Sequence, residues 1–109
     1  MKRVLITGGA GFIGSNLTKK LLKTTISEIF IFDNLSSGFL SNIPIHDKRI
    51  KFYNIDLKKS YLDWPLIKEL DYIFHFAANA DVRGGVLDRE IDLIQNVLVT
   101  KSICDYAKL

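Results

Sequence analysis

Cysteine occurs once in the 109 residues, at position 104. A single thiol excludes a disulfide framework and any cysteine-based zinc motif. Cys104 falls in an apolar helical stretch, where a small buried residue is the expected role. Long hydrophobic runs are missing too: no segment reaches the roughly 20 apolar residues that a membrane-spanning helix needs. The start, Met1-Lys2-Arg3 followed by apolar residues, has the outline of a secretion signal, but the run breaks at Thr7-Gly8-Gly9, too soon for an h-region. There is no internal repeat and no low-complexity tract. The formal net charge is only +3. Lys2, Arg3, Lys19, Lys20 and Lys23 crowd the first 25 residues with no acid among them. Lysines at helical spacing opposite an apolar row read as a solvated face rather than a nucleic-acid surface. These absences leave a globular chain, 48% apolar and 25% charged, of one domain at most. They point to a cytoplasmic protein with neither a membrane nor a nucleic acid as partner.

What is present begins at the first residues. The apolar run Val4-Leu5-Ile6 opens into Thr7-Gly8-Gly9-Ala10-Gly11-Phe12-Ile13-Gly14. Gly9 to Gly14 fits G-x-G-x-x-G, and Gly8, Gly11 and Gly14 also fit G-x-x-G-x-x-G. In such a turn an early glycine allows the tight exit from the strand. A middle one lets the backbone approach a pyrophosphate, and the last lets the helix pack closely on the strand. Free N–H groups at the helix start then face the phosphates. Ile13, Leu17 and Leu21 recur at i, i+4, i+8 with Leu22 beside them, which predicts a helix over roughly 12–23. The bland alternative is a glycine turn that joins a strand to a helix and binds nothing.

A second apolar run, Glu28 to Phe32, ends on Asp33, 19 residues after Gly14. That is close to the offset of roughly 20 residues expected for an acid on a ribose. A carboxylate there can accept from both ribose hydroxyls and repels a 2′-phosphate. Asn34 follows rather than an Arg or Lys. The pair reads as selecting NAD over NADP. A strand-end Asp capping a turn would occupy the same position without explaining the spacing.

Strand and helix alternate along the rest of the chain, which predicts an α/β domain with a parallel sheet and right-handed crossovers. Strands are expected near Arg3–Thr7, Glu28–Phe32, Ile50–Asn54 and Tyr72–Phe76. A long polar connection runs from Asn34 through Pro44 to Lys48, and Asp56 ends the third strand region. Ser60–Leu70 reads as a short helix with Pro65 in its first turn. Asn79–Asp88 reads as a loop. Arg89–Lys108 reads as the longest helix, with apolar rows Ile91/Ile94/Leu98 and Leu93/Val97/Cys104. Two apolar faces need two surfaces to bury them.

These motifs together resemble the extended short-chain dehydrogenase/reductase family, in particular its NAD-dependent nucleotide-sugar epimerases and dehydratases of the UDP-glucose 4-epimerase kind. The residues that carry the resemblance are Thr7 to Ser15, Asp33-Asn34-Leu35-Ser36-Ser37-Gly38, Asp56-Leu57, His75 to Arg83, and Asn96-Val97. The resemblance implies a Rossmann-type sheet with helices on both faces, four strands here, incomplete relative to the family. It implies that residues 1–109 form the N-terminal portion of an NAD-binding domain. It also assigns roles. Gly8, Gly11 and Gly14 form the turn, and Phe12 and Ile13 offer backbone N–H groups to the pyrophosphate. Asp33 binds the adenine ribose, and Asn34, Ser37 and Gly38 line the adenosine end. Asp56 meets the adenine amino group with Leu57 beside it. Ala77 and Ala78 leave room under the nicotinamide half, and Asn96 fixes the loop around its ribose. The apolar strand around His75 favours a structural imidazole over a catalytic one. Asp81 and Arg83 read equally as ligand contacts or as a surface pair.

In this family a Tyr acts as base, followed four residues later by a Lys that lowers its pKa. The help is needed because an unperturbed tyrosine, at about 10, yields little phenolate at neutral pH. Tyr53, Tyr61 and Tyr72 have Leu57, Pro65 and Phe76 at that offset, and Tyr106 has no residue there. The resemblance therefore implies the NAD-binding half of an enzyme whose full-length partner is a nucleotide sugar, without the catalytic half. The alternatives are a stand-alone module for NAD or an adenine nucleotide, and a remnant that binds nothing. A family sheet continues past its fourth strand, so an unpaired edge and self-association are expected here.

Overall fold

The structure is a computed structural model that describes residues 2–77, 90 and 93–109. Among the described residues four parallel strands form one sheet: β1 (Arg3–Thr7), β2 (Glu28–Asp33), β3 (Ile50–Asn54) and β4 (Tyr72–His75), in the order β3-β2-β1-β4. The register pairs Leu5 with Phe30 and with Ile73, and Ile31 with Phe52. Successive side chains of a strand point to opposite faces, and the sequence uses both. Val4, Ile6, Ile29 and Ile31 are buried on one face with Leu17 and Leu21 of helix α1 (Phe12–Leu21) packed against them. Leu5, Phe30 and Phe32 are buried on the other, under Val99, Ile103 and Tyr106 of helix α2 (Val99–Ala107). The continuous apolar runs of β1 and β2 are thus central strands covered on both sides.

Three local expectations are corrected. Ser60–Leu70 is not a helix but one 3-10 turn, Tyr61–Asp63, whose start is capped by the Ser60 hydroxyl accepting from Leu62 N–H. Trp64 is extended at ψ 151°. It precedes Pro65, and the proline ring disfavours the helical region for the residue before it. The Tyr106 hydroxyl then takes the place of helical partners, donating to Pro65 C=O at 2.6 Å and accepting from Ile67 N–H at 3.0 Å.

The long final helix also differs. From residue 93 on it is a π-helical segment, Leu93–Leu98, followed by α2. A π-helix bonds i to i+5, so apolar rows drawn at a 3.6-residue period do not run through it. The buried face is Val99/Ile103/Tyr106. Leu93, Val97 and Leu98 are exposed, Ile94 is half-buried, and Ile91 lies outside the described residues. Cys104 is exposed rather than buried.

Helix α1 ends at Leu21, and its buried line is Gly14/Thr18, with Ile13 63% exposed. The cause is the close seating of Gly14 on the strand exit: a Cβ there would stand 2.4 Å from Gly8 C=O oxygen. That contact turns Gly14, not Ile13, to the sheet. The buried Thr18 hydroxyl is satisfied by donating to Gly14 C=O at 2.9 Å.

Candidate functional site

All four strands end on the same side of the sheet, and the strand order reverses direction between β1 and β4. In open parallel sheets the crevice beyond the strand ends at such a point is where ligands sit. One cleft lies there. Its lining comes from Gly8 and Gly11 after β1, from Asp33, Asn34, Ser36, Ser37 and Gly38 after β2, and from Ile55, Asp56 and Leu57 after β3. Phe76 and Ala77 after β4, and Val99 of α2, complete it. Nine of the residues singled out from sequence therefore stand together: Gly8, Gly11, Asp33, Asn34, Ser37, Gly38, Asp56, Leu57 and Ala77. Phe12, Ile13 and Gly14 form the first turn of α1. Asn96 lies half-buried in the π-helical segment and is not among the residues lining this cleft. Ala78, Asp81 and Arg83 lie outside the described residues. Ser36, Ile55, Phe76 and Val99 were not anticipated. Ile55 could have been found from its place between the end of β3 and Asp56.

The glycines of the turn differ in what surrounds them. Gly8 has φ +71°, and a Cβ on it would meet Ala77 N at 2.8 Å. Gly8 is therefore demanded twice, by its left-handed backbone and by the close passage of β4's exit. Gly11 has φ −79°, which any residue can adopt, and a Cβ on it would meet only Gly8 C=O oxygen, at 3.3 Å. Among the described residues the protein's own packing crowds position 11 far less than position 8 or 14.

Gly11 is also the N-cap of α1, with no side-chain cap and no acid in the first turn. The first N–H groups of a helix have no intrahelical acceptor, and they carry the positive end of its dipole. The residues beside the cleft thus offer backbone donors with no competing anion from the helix itself.

Asp33 is held in place from both sides. Its Oδ2 accepts from Ala10 N–H at 2.9 Å and its Oδ1 from Leu35 N–H at 2.7 Å. It does cap the turn after β2. Each carboxylate oxygen retains a second lone pair, so capping leaves acceptor capacity for a ligand. Asn34 caps in the same way, its Oδ1 accepting from Ser36 N–H at 3.0 Å. Asp56 Oδ1 accepts from Lys58 N–H at 3.0 Å. The loop after β2 is pinned to the glycine turn: Phe39 N–H and Asn42 Nδ2 both donate to Ala10 C=O. A Cβ on Gly38 would stand 2.6 Å from that carbonyl. Gly38 thus allows the loop to cross against the turn.

His75 is half-buried, and burial pushes its imidazole below the ordinary histidine range. Its Nδ1 is 2.6 Å from Thr7 Oγ1 and its Nε2 is 3.1 Å from Thr100 Oγ1. Both ring nitrogens are engaged with the scaffold, as a structural imidazole requires. Among the described residues no group of three or more His, Cys, Asp or Glu could hold a metal ion, and no helix is long and apolar enough to cross a membrane.

Residues 4–109 match the NAD dependent epimerase/dehydratase family. The chain is 36% identical over 103 residues to a putative UDP-glucose 4-epimerase of Methanocaldococcus jannaschii, covering 94% of this chain and 32% of that protein. It is 38% identical over 78 residues to UDP-glucuronic acid decarboxylase 6 of Arabidopsis thaliana, covering 72% and 22%. The crystal structure of the Bordetella bronchiseptica enzyme WbmF in complex with NAD+ superposes with a TM-score of 0.88 at 33% identity, covering 98% of this chain and 32% of that one. The chain thus spans about a third or less of the length of these relatives.

Proposed function

Because the chain belongs to the NAD dependent epimerase/dehydratase family, we propose that it is the NAD-binding, N-terminal part of a nucleotide-sugar epimerase of the UDP-glucose 4-epimerase kind. The observation that carries this reading is the convergence of the glycine turn, Asp33 and Asp56 on one cleft at the strand ends. The residues fit a dinucleotide. Gly11 lines the cleft with no side chain in the way of a pyrophosphate, and the uncapped start of α1 offers the N–H groups of Phe12 and Ile13. Asp33 has lone pairs left for the two ribose hydroxyls, and Asn34 rather than a basic residue follows it in sequence. Asn34, Ser37 and Gly38 would line the adenosine end, with Asp56 and Leu57 at the adenine. Gly8, Gly14 and Ala77 would shape the backbone, with Ala78 and Asn96 completing the nicotinamide side.

Bound NAD supplies a hydride acceptor and donor. This chain carries no Tyr-x-x-x-Lys pair, so we propose that it binds NAD without catalysing. In the parent enzyme the partner is a nucleotide sugar, and the compartment is the cytoplasm. Among the described residues β4 pairs only with β1, and we propose that its other edge, with the exposed Leu93 and Val97 of the π-helical segment, supports self-association. A second reading, a stand-alone adenine-nucleotide module, draws on the same Asp33–Asp56 end of the cleft. Calorimetric titration with NAD, NADP and AMP separates them. NAD binding well above AMP supports the first reading, equal affinity for the two supports the second, and no heat with any of them refutes both.

A further inference from the structure

The polar contacts of His75 form a chain whose direction can be worked out atom by atom. Thr7 Oγ1 accepts from Ala77 N–H at 3.2 Å and shares the Phe76 N–H, at 3.1 Å, with Thr7 C=O, also at 3.1 Å. A hydroxyl oxygen has two lone pairs and one proton, so the Thr7 proton is left for His75 Nδ1, 2.6 Å away. Nδ1 is therefore an acceptor. At the other end the Thr100 hydroxyl donates to Asn96 C=O at 2.6 Å, so its oxygen is left to accept from His75 Nε2–H at 3.1 Å. The two ends independently require the same neutral tautomer, protonated on Nε2. The chain then runs unbroken from the amides after β4, through Thr7 and His75, to the helical segment before α2.

One end of that chain is part of the cleft. The Ala77 amide that Thr7 holds is the atom nearest to where a Cβ on Gly8 would be, and Gly8 and Ala77 both line the cleft. A proton on Nδ1 would set a donor against Thr7 Oγ1, whose lone pairs are already filled. The oxygen can then accept from the imidazolium only by loosening its hold on the two amides, the longer of which is Ala77 at 3.2 Å. We propose that His75 is a proton-sensitive positioning residue: its neutral form holds the Ala77 amide against the glycine turn, and protonation at Nδ1 releases it and loosens the cleft for a nucleotide.

The part about ligand affinity rests on the nucleotide-binding reading above. Burial already favours the neutral ring, so the contribution is present above the unfolded histidine value of about 6.5. It is lost as pH falls through the lower folded value. Among the described residues, β1, β4 and α2 carry few titratable groups besides His75. Arg3 of β1 pairs with Glu28, and Tyr72 of β4 stands at the far end of its strand. Lys101 and Asp105 of α2 pair with each other at 2.9 Å. Tyr106 is bonded to Pro65 and Ile67, and Cys104 is exposed. Burial alone accounts for the shift at His75.

The test is an NMR pH titration of the 109-residue chain in a His46→Gln background, which removes the other histidine, an exposed one. The His75 ring is expected in the Nε2–H form at neutral pH, with the Ala77 amide titrating at the same midpoint as the ring. An Nδ1–H ring, or an Ala77 amide indifferent to that midpoint, overturns the proposal whether or not any ligand binds. In parallel, NAD affinity is measured from pH 8 to pH 5.5. A loss of affinity that sets in at the ring's own midpoint is expected in the wild type. His75→Asn, whose amide oxygen can replace the Nδ1 acceptor but cannot be protonated, should flatten it. Binding that is measurable but equally flat in both proteins overturns the proposal and spares the nucleotide reading. Absence of binding at every pH refutes that reading, and the Ala77 titration then decides the proposal.

Discussion

Asp33 Oδ2 accepts a hydrogen bond from the Ala10 amide at 2.9 Å, tying the end of β2 to the glycine turn 23 positions earlier. The same carboxylate holds Leu35 N–H at 2.7 Å. Asp33→Ala should therefore do two things at once. Two backbone donors lose their acceptor, at about 1–3 kcal/mol of stability, read as a shift in the urea midpoint. NAD should lose affinity and NADP should gain on it. Equal affinity for the two cofactors in the wild type would sink the ribose assignment.

Gly11→Val and Gly14→Ala should separate binding from folding. At 11 the backbone is extended and a new Cβ meets only Gly8 C=O oxygen. That variant is expected to keep a near wild-type melting temperature and to bind NAD at least tenfold more weakly. At 14 a Cβ would stand 2.4 Å from a carbonyl oxygen and 2.9 Å from Gly9 Cα. Overpacking against backbone should cost about 1–3 kcal/mol or more. A Gly11→Val protein that folds and binds NAD normally would contradict the proposed approach of the pyrophosphate.

Tyr106→Phe should destabilise the segment after the 3-10 turn. The hydroxyl serves Pro65 C=O and Ile67 N–H, and its loss leaves both without that partner, at about 1–2 kcal/mol. Burial, followed by the charge of Tyr53, raises the Tyr106 pKa against the lowering effect of the Ile67 amide. The folded value thus lies above the unfolded value of about 10. The stabilising contribution is complete below pH 10 and is lost as pH rises through the folded value. The variant should show a shallower alkaline loss of stability in the same midpoint assay.

Sedimentation over a concentration series should show self-association of the wild-type chain. Leu93→Glu with Val97→Glu places charge on an exposed apolar face and should shift the equilibrium towards monomer. A wild-type protein that stays monomeric at high micromolar concentration would refute the role given to the β4 edge.

The purified chain is expected to turn over no nucleotide sugar, tested with UDP-glucose by product chromatography. Without a Tyr-x-x-x-Lys pair there is no base to accompany hydride transfer, however well NAD is held. Measurable epimerisation would refute that inference.

The four strands, their parallel sense and the first helix were legible because they rest on local signals. Two-sided apolar runs mark central parallel strands, and the glycine spacing marks a strand-to-helix turn. The carboxylate positions were legible as well, since Asp33 and Asp56 follow directly from where strands stop. The failures lie where a local break or a residue from another element overrules periodicity. Ile13 lost the buried position to Gly14 because Gly8, across the turn, lets only a glycine come that close. Ser60–Leu70 had no helix to form once Trp64 was bound by Pro65 and Tyr106 could satisfy the backbone from α2. Cys104 and Val97 lie off the face that Tyr106 anchors, and the π winding before Val99 breaks the row on which they were placed. The Thr7–His75–Thr100 chain was equally invisible. Each member is an ordinary residue in its own segment, and only pairing β4 beside β1 with α2 packed across them sets two hydroxyls at opposite ends of one imidazole.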